Sequence, residues 1–356
     1  MRHRTPARPP DRRQLLLRAV AALVLPAGAP GAALAAAAAA PSAATPDPSV
    51  QPAECVIPAK AGGGFALTCA LARDALQAVR SQRPPLGQRF LPGGIGALAF
   101  DQIATGRIGG PGTLVAFSGG SLLNIAQGRF GPHPVSAVRW LALLGADYGV
   151  IAVHRDSPYR RLQDLVEVLR AKPGRIAFGA GGTVGSQDWV KAALLVRASG
   201  GDHKAMRFVA FEGGGDALNA LQGRHVDVFC GDAAEAAQAL DGGASLRFLA
   251  VFSADRLGGA LQGVPTAREQ GIDIVWPTVR GVYLSADVPE PALRAWTAAF
   301  EEAMKAPGYA QLLARHALYP FTLTGPALAR FVDAELDKYQ KLAAELGLRR
   351  WSRTGN

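Results

Sequence analysis

No internal apolar run of about 20 residues interrupts this 356-residue chain, which excludes a multispan membrane protein. A triplet glycine period, a long heptad run and a fixed repeat of turns are also missing, so collagen-like, coiled-coil and repeat architectures drop out. Cysteine is scarce, at three, without a Cys-x-x-Cys pair, and the histidines at 133, 154, 203, 225 and 316 lack metal-ligand spacing. Neither a metal nor a cofactor is expected. The phosphate-binding G-x-x-x-x-G-K-[ST] is absent, and Gly179-Ala180-Gly181-Gly182-Thr183-Val184 breaks G-x-G-x-x-G at its third glycine. Ser118, in Ala116-Phe117-Ser118-Gly119-Gly120, lacks the first glycine of a G-x-S-x-G elbow. With no convincing nucleophile, base or metal cluster, the chain is read as a non-enzyme. A secreted α/β hydrolase using Ser118 or Ser186 is the alternative from another class.

What the chain does have is a 49% apolar share, which excludes disorder as its main state, and 42 glycines, well above the usual ~7%. Its length predicts two domains with ample core. The formal charge of +10 suggests an anionic macromolecule only if it belongs to the folded part. Half of it does not. Residues 1–18 carry six arginines against Asp11, an apolar stretch follows over 19–25, and Ala33-Leu34-Ala35 supplies a small-x-small cleavage motif. This is the layout of an export segment over 1–35, and its removal leaves about +5. Arg12-Arg13 before Gln14-Leu15-Leu16 leaves the twin-arginine and Sec routes both open. A periplasmic location follows, without a nucleic-acid partner.

Export sets the redox compartment. Cys55 and Cys69 are expected to form a disulfide, with two buried free thiols as the alternative. The bridge would close a loop of about 15 residues and stabilise by ~3 kcal/mol through lost chain entropy. Cys230, in Val226-Asp227-Val228-Phe229-Cys230, reads as an unpaired core thiol.

Residues 36–51, rich in Ala, Pro, Ser and Thr, read as a linker. Beyond them, short apolar runs at 55–58, 113–117, 149–154, 175–178, 206–211, 226–230, 246–253 and 279–284 read as strands, and helical periods fill most of the gaps. The first helix carries Leu67, Leu71, Ala75 and Val79 on one side; the last follows Thr324-Gly325-Pro326 with Leu328, Phe331, Val332, Leu336, Tyr339 and Leu342. Such alternation predicts α/β architecture with mainly parallel sheets, because parallel neighbours need long crossovers. Residues 348–356 read as a frayed basic tail.

Glycine-rich turns recur where strands end: Ala61-Gly62-Gly63-Gly64-Phe65, Ser118-Gly119-Gly120-Ser121, the 179–186 segment ending Gly185-Ser186, and Glu212-Gly213-Gly214-Gly215. Each precedes a helical pattern, whose first N–H groups are unpaired and positively polarised, so the turns are suited to anions. Ser118, Ser121, Thr183 and Ser186 add hydroxyls. Glycine as plain turn punctuation explains any one of them; four together favour a ligand site. Arg280 is suited to a bidentate carboxylate clamp if it faces a cleft, with an internal ion pair as the alternative. Lys60 adds charge beside the first turn, or is simply solvated. Phe65 and Trp276 are candidate cleft walls or core residues, and Asp232 either orders the cleft or caps the next helix.

These residues carry a family resemblance. Glu54-Cys55-Val56-Ile57-Pro58-Ala59-Lys60-Ala61-Gly62-Gly63-Gly64-Phe65 with Leu67-Thr68-Cys69, then Phe211-Glu212-Gly213-Gly214-Gly215-Asp216-Ala217-Leu218 with His225-Val226-Asp227-Val228, and Gly263-Val264-Pro265-Thr266-Ala267-Arg268-Glu269-Gln270-Gly271 resemble, in order, the TctC type of tripartite tricarboxylate transporter receptors within the Bug family. The resemblance covers roughly 52–347. It implies a type II periplasmic-binding fold whose two lobes close on a carboxylate: lobe 1 from 52–152 and 248–347, lobe 2 from 153–247, with crossings near 150–153 and 246–251. It implies ligand contacts at Gly62, Gly63, Gly64 and Phe65, and at Gly181, Thr183, Gly185 and Ser186, with Gly214 in the fourth turn. A citrate-like di- or tricarboxylate, membrane permease subunits as partners, and a monomer are the further expectations. A sensory protein feeding a sensor kinase is the second alternative. One departure stands out: the family's acidic residue after the first glycine turn is Ala66 here, leaving Thr68 as a weaker helix cap.

Overall fold

The computed structural model describes residues 53–81 and 83–348. The export segment, the linker and all of the basic tail except Leu348 lie outside the described residues. In chain order the elements are β1 (Glu54–Ile57), α1 (Gly64–Val79), β2 (Gly87–Phe90), α2 (Ala97–Ala104), β3 (Thr113–Ser118), α3 (Gly119–Ala126), β4 (Val138–His154) and α4 (Leu162–Ala171). There follow β5 (Ala177–Gly181), α5 (Gln187–Ala198), β6 (Arg207–Phe211), α6 (Gly214–Gln222), β7 (Val228–Asp232), α7 (Ala233–Asp241) and β8 (Leu246–Val251). The chain closes with β9 (Pro277–Ser285), α8 (Glu290–Lys305), α9 (Tyr309–Arg315), β10 (Leu323–Thr324) and α10 (Gly325–Glu345).

The strands form two sheets that share β4. In the first the order is β2-β1-β3-β9-β4, with β10 also on β4; in the second it is β4-β7-β5-β6, with β8 on β4. The first half of β4 pairs β9 as far as Tyr148, and from Gly149 the same strand pairs β7 and β8. β4 has 17 residues, nearly all buried. A strand covered on both faces reads as a continuous apolar run without alternation, and only its second half, 149–154, is legible as a strand.

The expected preponderance of parallel pairs is corrected. Parallel pairing joins β1 to β2 and β3, and β5 to β6 and β7, whereas β3/β9, β4/β9, β4/β10, β4/β7 and β4/β8 are antiparallel. Crossover helices impose parallel neighbours within each sheet. β4, which links the sheets, and β9 beside it run against their neighbours.

Local sequence accounts for the helices. Leu67, Leu71 and Ala75 of α1 are buried at i, i+4 and i+8 against β1, β3 and α8. In α10, Pro326 sits in the first turn, where its missing N–H costs nothing, and Leu328, Val332, Leu336 and Tyr339 face the core. Gly347, at φ +69°, turns the chain so that Leu348 N–H reaches Ala343 O at 2.9 Å. Leu348 is thus part of the helix closure, not of a frayed tail.

Cys55 of β1 and Cys69 of α1 form the expected disulfide, with Cα atoms 5.7 Å apart, and Cys230 is a buried free thiol. Among the described residues no helix is long and apolar enough to cross a membrane. Removing the bridge by a Cys55→Ala/Cys69→Ala double substitution is expected to lower stability by about 3 kcal/mol in urea unfolding of the oxidised protein. Identical midpoints with and without reductant would contradict a role for the bridge.

Candidate functional site

The carboxyl ends of β1, β3, β5, β6 and β7 point to one region, the usual place for a ligand in open α/β sheets. The β1–α1 turn contributes Gly63, Gly64 and Phe65; the β3–α3 junction Ser118, Gly120 and Asn124; the end of β5 and start of α5 Gly181, Ser186, Gln187 and Asp188. Glu212, Gly213 and Gly214 come from the β6–α6 junction, Asp232 and Glu235 from β7 and α7, and Arg280 from β9. Together with Ala59 and Ile95 they enclose a cavity of about 60 Å³. A wider surface cleft of about 560 Å³ lies at the opposite strand ends, by Glu54, Arg89 and Thr113, away from the glycine turns.

Beneath the cavity is a buried charge network. Arg280 Nη2 donates to Asp147 Oδ2 and to Asp232 Oδ2, each at 2.8 Å. Lys191 Nζ lies 2.7 Å from Asp232 Oδ1 and 2.8 Å from Asp188 Oδ1, and also donates to Gly231 O at 2.7 Å. Thr278 Oγ1 and Gln187 Nε2 each donate to Asp232 at 3.0 Å. Asp147, Lys191, Asp232 and Arg280 are at most 4% exposed. Burial opposes ionisation of Asp232, but Lys191 and Arg280 outweigh it and hold its carboxyl below the ordinary range. Burial raises Asp147 to about 6 despite Arg280, and it raises Asp188 despite Lys191.

Two glycine turns already hold carboxylates of the protein itself. Gly64 N–H donates to Glu235 Oε1 in a short contact, and Gly181 N–H donates to Asp188 Oδ2 at 3.0 Å. A methyl group on Gly64 would overlap the Arg280 guanidinium, and one on Gly214 would overlap Glu235 Oε2. A side chain at either position would have to displace these side-chain ends from the cavity wall. The first turn of α1 contains no acidic residue of its own, in keeping with Ala66, and the expected substitute, Thr68, instead donates back to Gly64 O at 2.8 Å. The carboxylate that meets the start of α1 arrives from α7.

Of the residues singled out in the sequence, Gly63, Gly64, Phe65, Ser118, Gly181, Ser186, Gly214, Asp232 and Arg280 line the cavity. Six others stand apart from it. Gly62 (φ +83°) shapes the turn from its exposed side. Ser121 Oγ accepts Ser118 N–H at 3.2 Å in a capping box of α3. Thr183 Oγ1 accepts from half-buried Arg129, and Gly185 O accepts Gln127 Nε2 at 2.8 Å. Trp276 is a core residue whose ring centroid lies 6.0 Å from that of Tyr339. Lys60 is solvated, 3.9 Å from Asp216. Asp232 orders the network instead of capping α7.

Asp188, Lys191, Gln187, Glu235, Asn124 and Ile95 were not legible as site residues. A faint cue existed for the acids, since Asp188 and Glu235 fall in the first turns of helices that follow glycine-containing strand ends. Ile95 has φ +50°, a rare conformation for a β-branched residue.

The hydroxyls proposed for hydrolysis are engaged in capping. Ser186 Oγ accepts Trp189 N–H at 3.3 Å and donates to Gly181 O at 3.0 Å. The cavity lining includes no histidine; His133 and His316 pair with Asp101 and Asp74 elsewhere.

Glu235 gives the site a pH dependence. Burial, then the charge of Asp232, pushes it up to about 8, with Asp188 and Asp147 acting in the same sense and Arg280 against it. The folded protein thus keeps a proton that an unfolded glutamate, at about 4.3, has lost, and stability falls as pH rises towards 8. Between pH 6 and 8, urea unfolding of the wild type should show falling stability, and Glu235→Gln should flatten most of that slope. A variant with the wild-type slope would contradict the assignment.

A UPF0065 protein from the gbd 5′ region of Cupriavidus necator is 25% identical over 218 residues, 60% of this chain and 64% of that one. The match therefore spans less than two thirds of the relative's length. MatC from Rhodopseudomonas palustris with bound malate superposes with a TM-score of 0.70 at 22% identity, covering 82% of this chain and 99% of that chain. Another R. palustris protein, solved with adipate, gives 0.73 at 17% identity, covering 83% and 97%. At these identities the likeness is one of fold, the two-lobed periplasmic-binding type with mixed α/β sheets. The family model for the tripartite tricarboxylate transporter family receptor, TctC, matches residues 131–348, more than half of the sequence, and the chain belongs to that family.

Proposed function

We propose that this protein is a periplasmic solute receptor that captures a small carboxylate between two lobes and delivers it to integral-membrane permease subunits. The observation that carries this reading is the convergence of glycine-bearing strand ends from both sheets on one cavity, with Arg280 in its wall. Family membership supports it, as do the malate and adipate bound by proteins of the same fold. Small di- and tricarboxylates are the starting class, and the receptor acts as a monomer without covalent chemistry.

The lobes follow the sheets. Since β8 pairs only with the second half of β4, and Trp276 N–H bonds Phe252 O at 2.7 Å, we assign 149–276 to the second lobe. This extends it past the expected limit at 247. The first lobe is then 53–148 with 277–348, and β4 and the start of β9 are the crossings.

A micromolar ligand needs about 8 kcal/mol, several times the ~1.5–3 kcal/mol of one charge-assisted hydrogen bond. Contacts from both lobes must therefore add. Thermal melts of the exported form with succinate, malate, adipate, citrate, tricarballylate, aromatic acids and amino analogues should show one clear stabiliser, worth about 2.7 kcal/mol at 100 times Kd. If no carboxylate raises Tm, and an ester turnover is present that Ser118→Ala abolishes, the hydrolase reading replaces this one.

A further inference from the structure

The two strands that carry the Asp232 network have a second face. Side chains alternate along a strand, so Asp147, Thr278 and Arg280 turn to the network while Ala146, Tyr148, Pro277 and Val279 turn the other way. On that reverse face, where Tyr148 pairs with Pro277 at the crossing between the sheets, lies a separate cavity of about 240 Å³. It shares no lining residue with the strand-end cavity, and the receptor reading leaves it without a role. Tyr148, Phe321 and Phe331 bring three aromatic rings to its wall, and Ala254 and Val275 add aliphatic surface. Phe321 and Phe331 are tilted at 58° with centroids 5.3 Å apart, and Tyr148 meets Tyr319 at 67° and 5.6 Å. Neither pair is stacked face to face, so ring surface stays open, and Phe321 remains 36% exposed. Glu335 of α10 is the one charged residue in the lining. Its side chain is 16% exposed, and its ion-pair partner at 2.9 Å, Lys338, stands outside the lining and is 53% exposed. Tyr339 is its other hydrogen-bonding neighbour. A pair with so exposed a partner is weakly held, which leaves the carboxylate's charge to act on the cavity.

Charge and surface together select the occupant. An anion would meet Glu335 with no lysine, arginine or histidine in the lining to offset it. A hydrocarbon would press apolar surface on that carboxylate and strip its water, which is costly. An unsubstituted ammonium needs acceptors for three donors, and this wall is mostly aromatic and aliphatic. A methylated ammonium meets every condition: ring faces and the carboxylate attract its charge, while its methyl groups pack on apolar side chains without hydrogen bonds. Size agrees, since an apolar cavity of about 150 Å³ already holds benzene. We propose that this cavity on the reverse face of the crossing binds a small, free methylated ammonium ion. The rings of Tyr148, Phe321 and Phe331 surround the cation, and Glu335 is its counter-charge.

Calorimetry on the exported form compares choline with dimethylbutanol, its uncharged carbon isostere. The proposal expects choline to bind about ten-fold or more tightly than the isostere. Glu335→Gln removes the counter-charge and Phe321→Leu one ring; each is expected to reduce that ratio severalfold. A hollow that merely takes up apolar molecules would hold the isostere as well as choline. Equal binding of the two in the wild type, or no choline binding at millimolar concentration, therefore overturns the proposal without need of a variant. An unchanged ratio in either variant that melts cooperatively also overturns it, because the cation would then sit elsewhere. So does binding to phosphatidylcholine vesicles without binding of free choline. None of these results bears on the carboxylate site, whose lining is separate.

Discussion

Asp232 is the anchor of the structure around the cavity. Its two oxygens receive Lys191 from α5, Arg280 and Thr278 from β9, and Gln187 from the start of α5. Because β7 lies in the second sheet and β9 in the first, this one carboxylate ties the two sheets where the chain passes between them. Breaking a buried pair by deleting one partner costs about 3–5 kcal/mol, since the other charge is left uncompensated. The network therefore behaves as a unit, and the position of Arg280 is fixed before any ligand arrives.

That constraint changes the meaning of the glycine-rich turns. Bare backbone N–H groups at strand ends are general anion sites, but here two of them are held by Glu235 and Asp188. The protein supplies acids where a simple carboxylate receptor would leave donors open. The close approach needed for this explains two of the glycines directly: Gly64 admits the Arg280 guanidinium, and Gly214 admits the Glu235 carboxylate.

The helices and strand-end turns were legible because their determinants are local. Leu67, Leu71 and Ala75 announce α1 by period, and Thr324-Gly325-Pro326 announces the start of α10. The first half of β4 was not legible, since burial on both faces erases the alternation that marks a strand. Nor was the antiparallel pairing of β9, which depends on the route of the chain and not on local residues. In the site, glycines and Arg280 stand out by type, whereas Trp276, a large apolar residue next to a turn, looks the same in sequence whether it walls a cleft or packs on Tyr339. Asp188, Lys191 and Glu235 were hidden for the opposite reason. A charge in the first turns of a helix normally faces water, and only packing from a second sheet turns these inward.

Ligand is expected to bind where the strand ends meet above the Asp232 network. A crystal structure of the exported form with its co-purified or added carboxylate decides the point. Ligand density within hydrogen-bonding distance of Arg280 and of the β1–α1 turn is the predicted result. Ligand in the wide cleft beside Glu54 and Arg89, with the strand-end cavity holding only water, would contradict it.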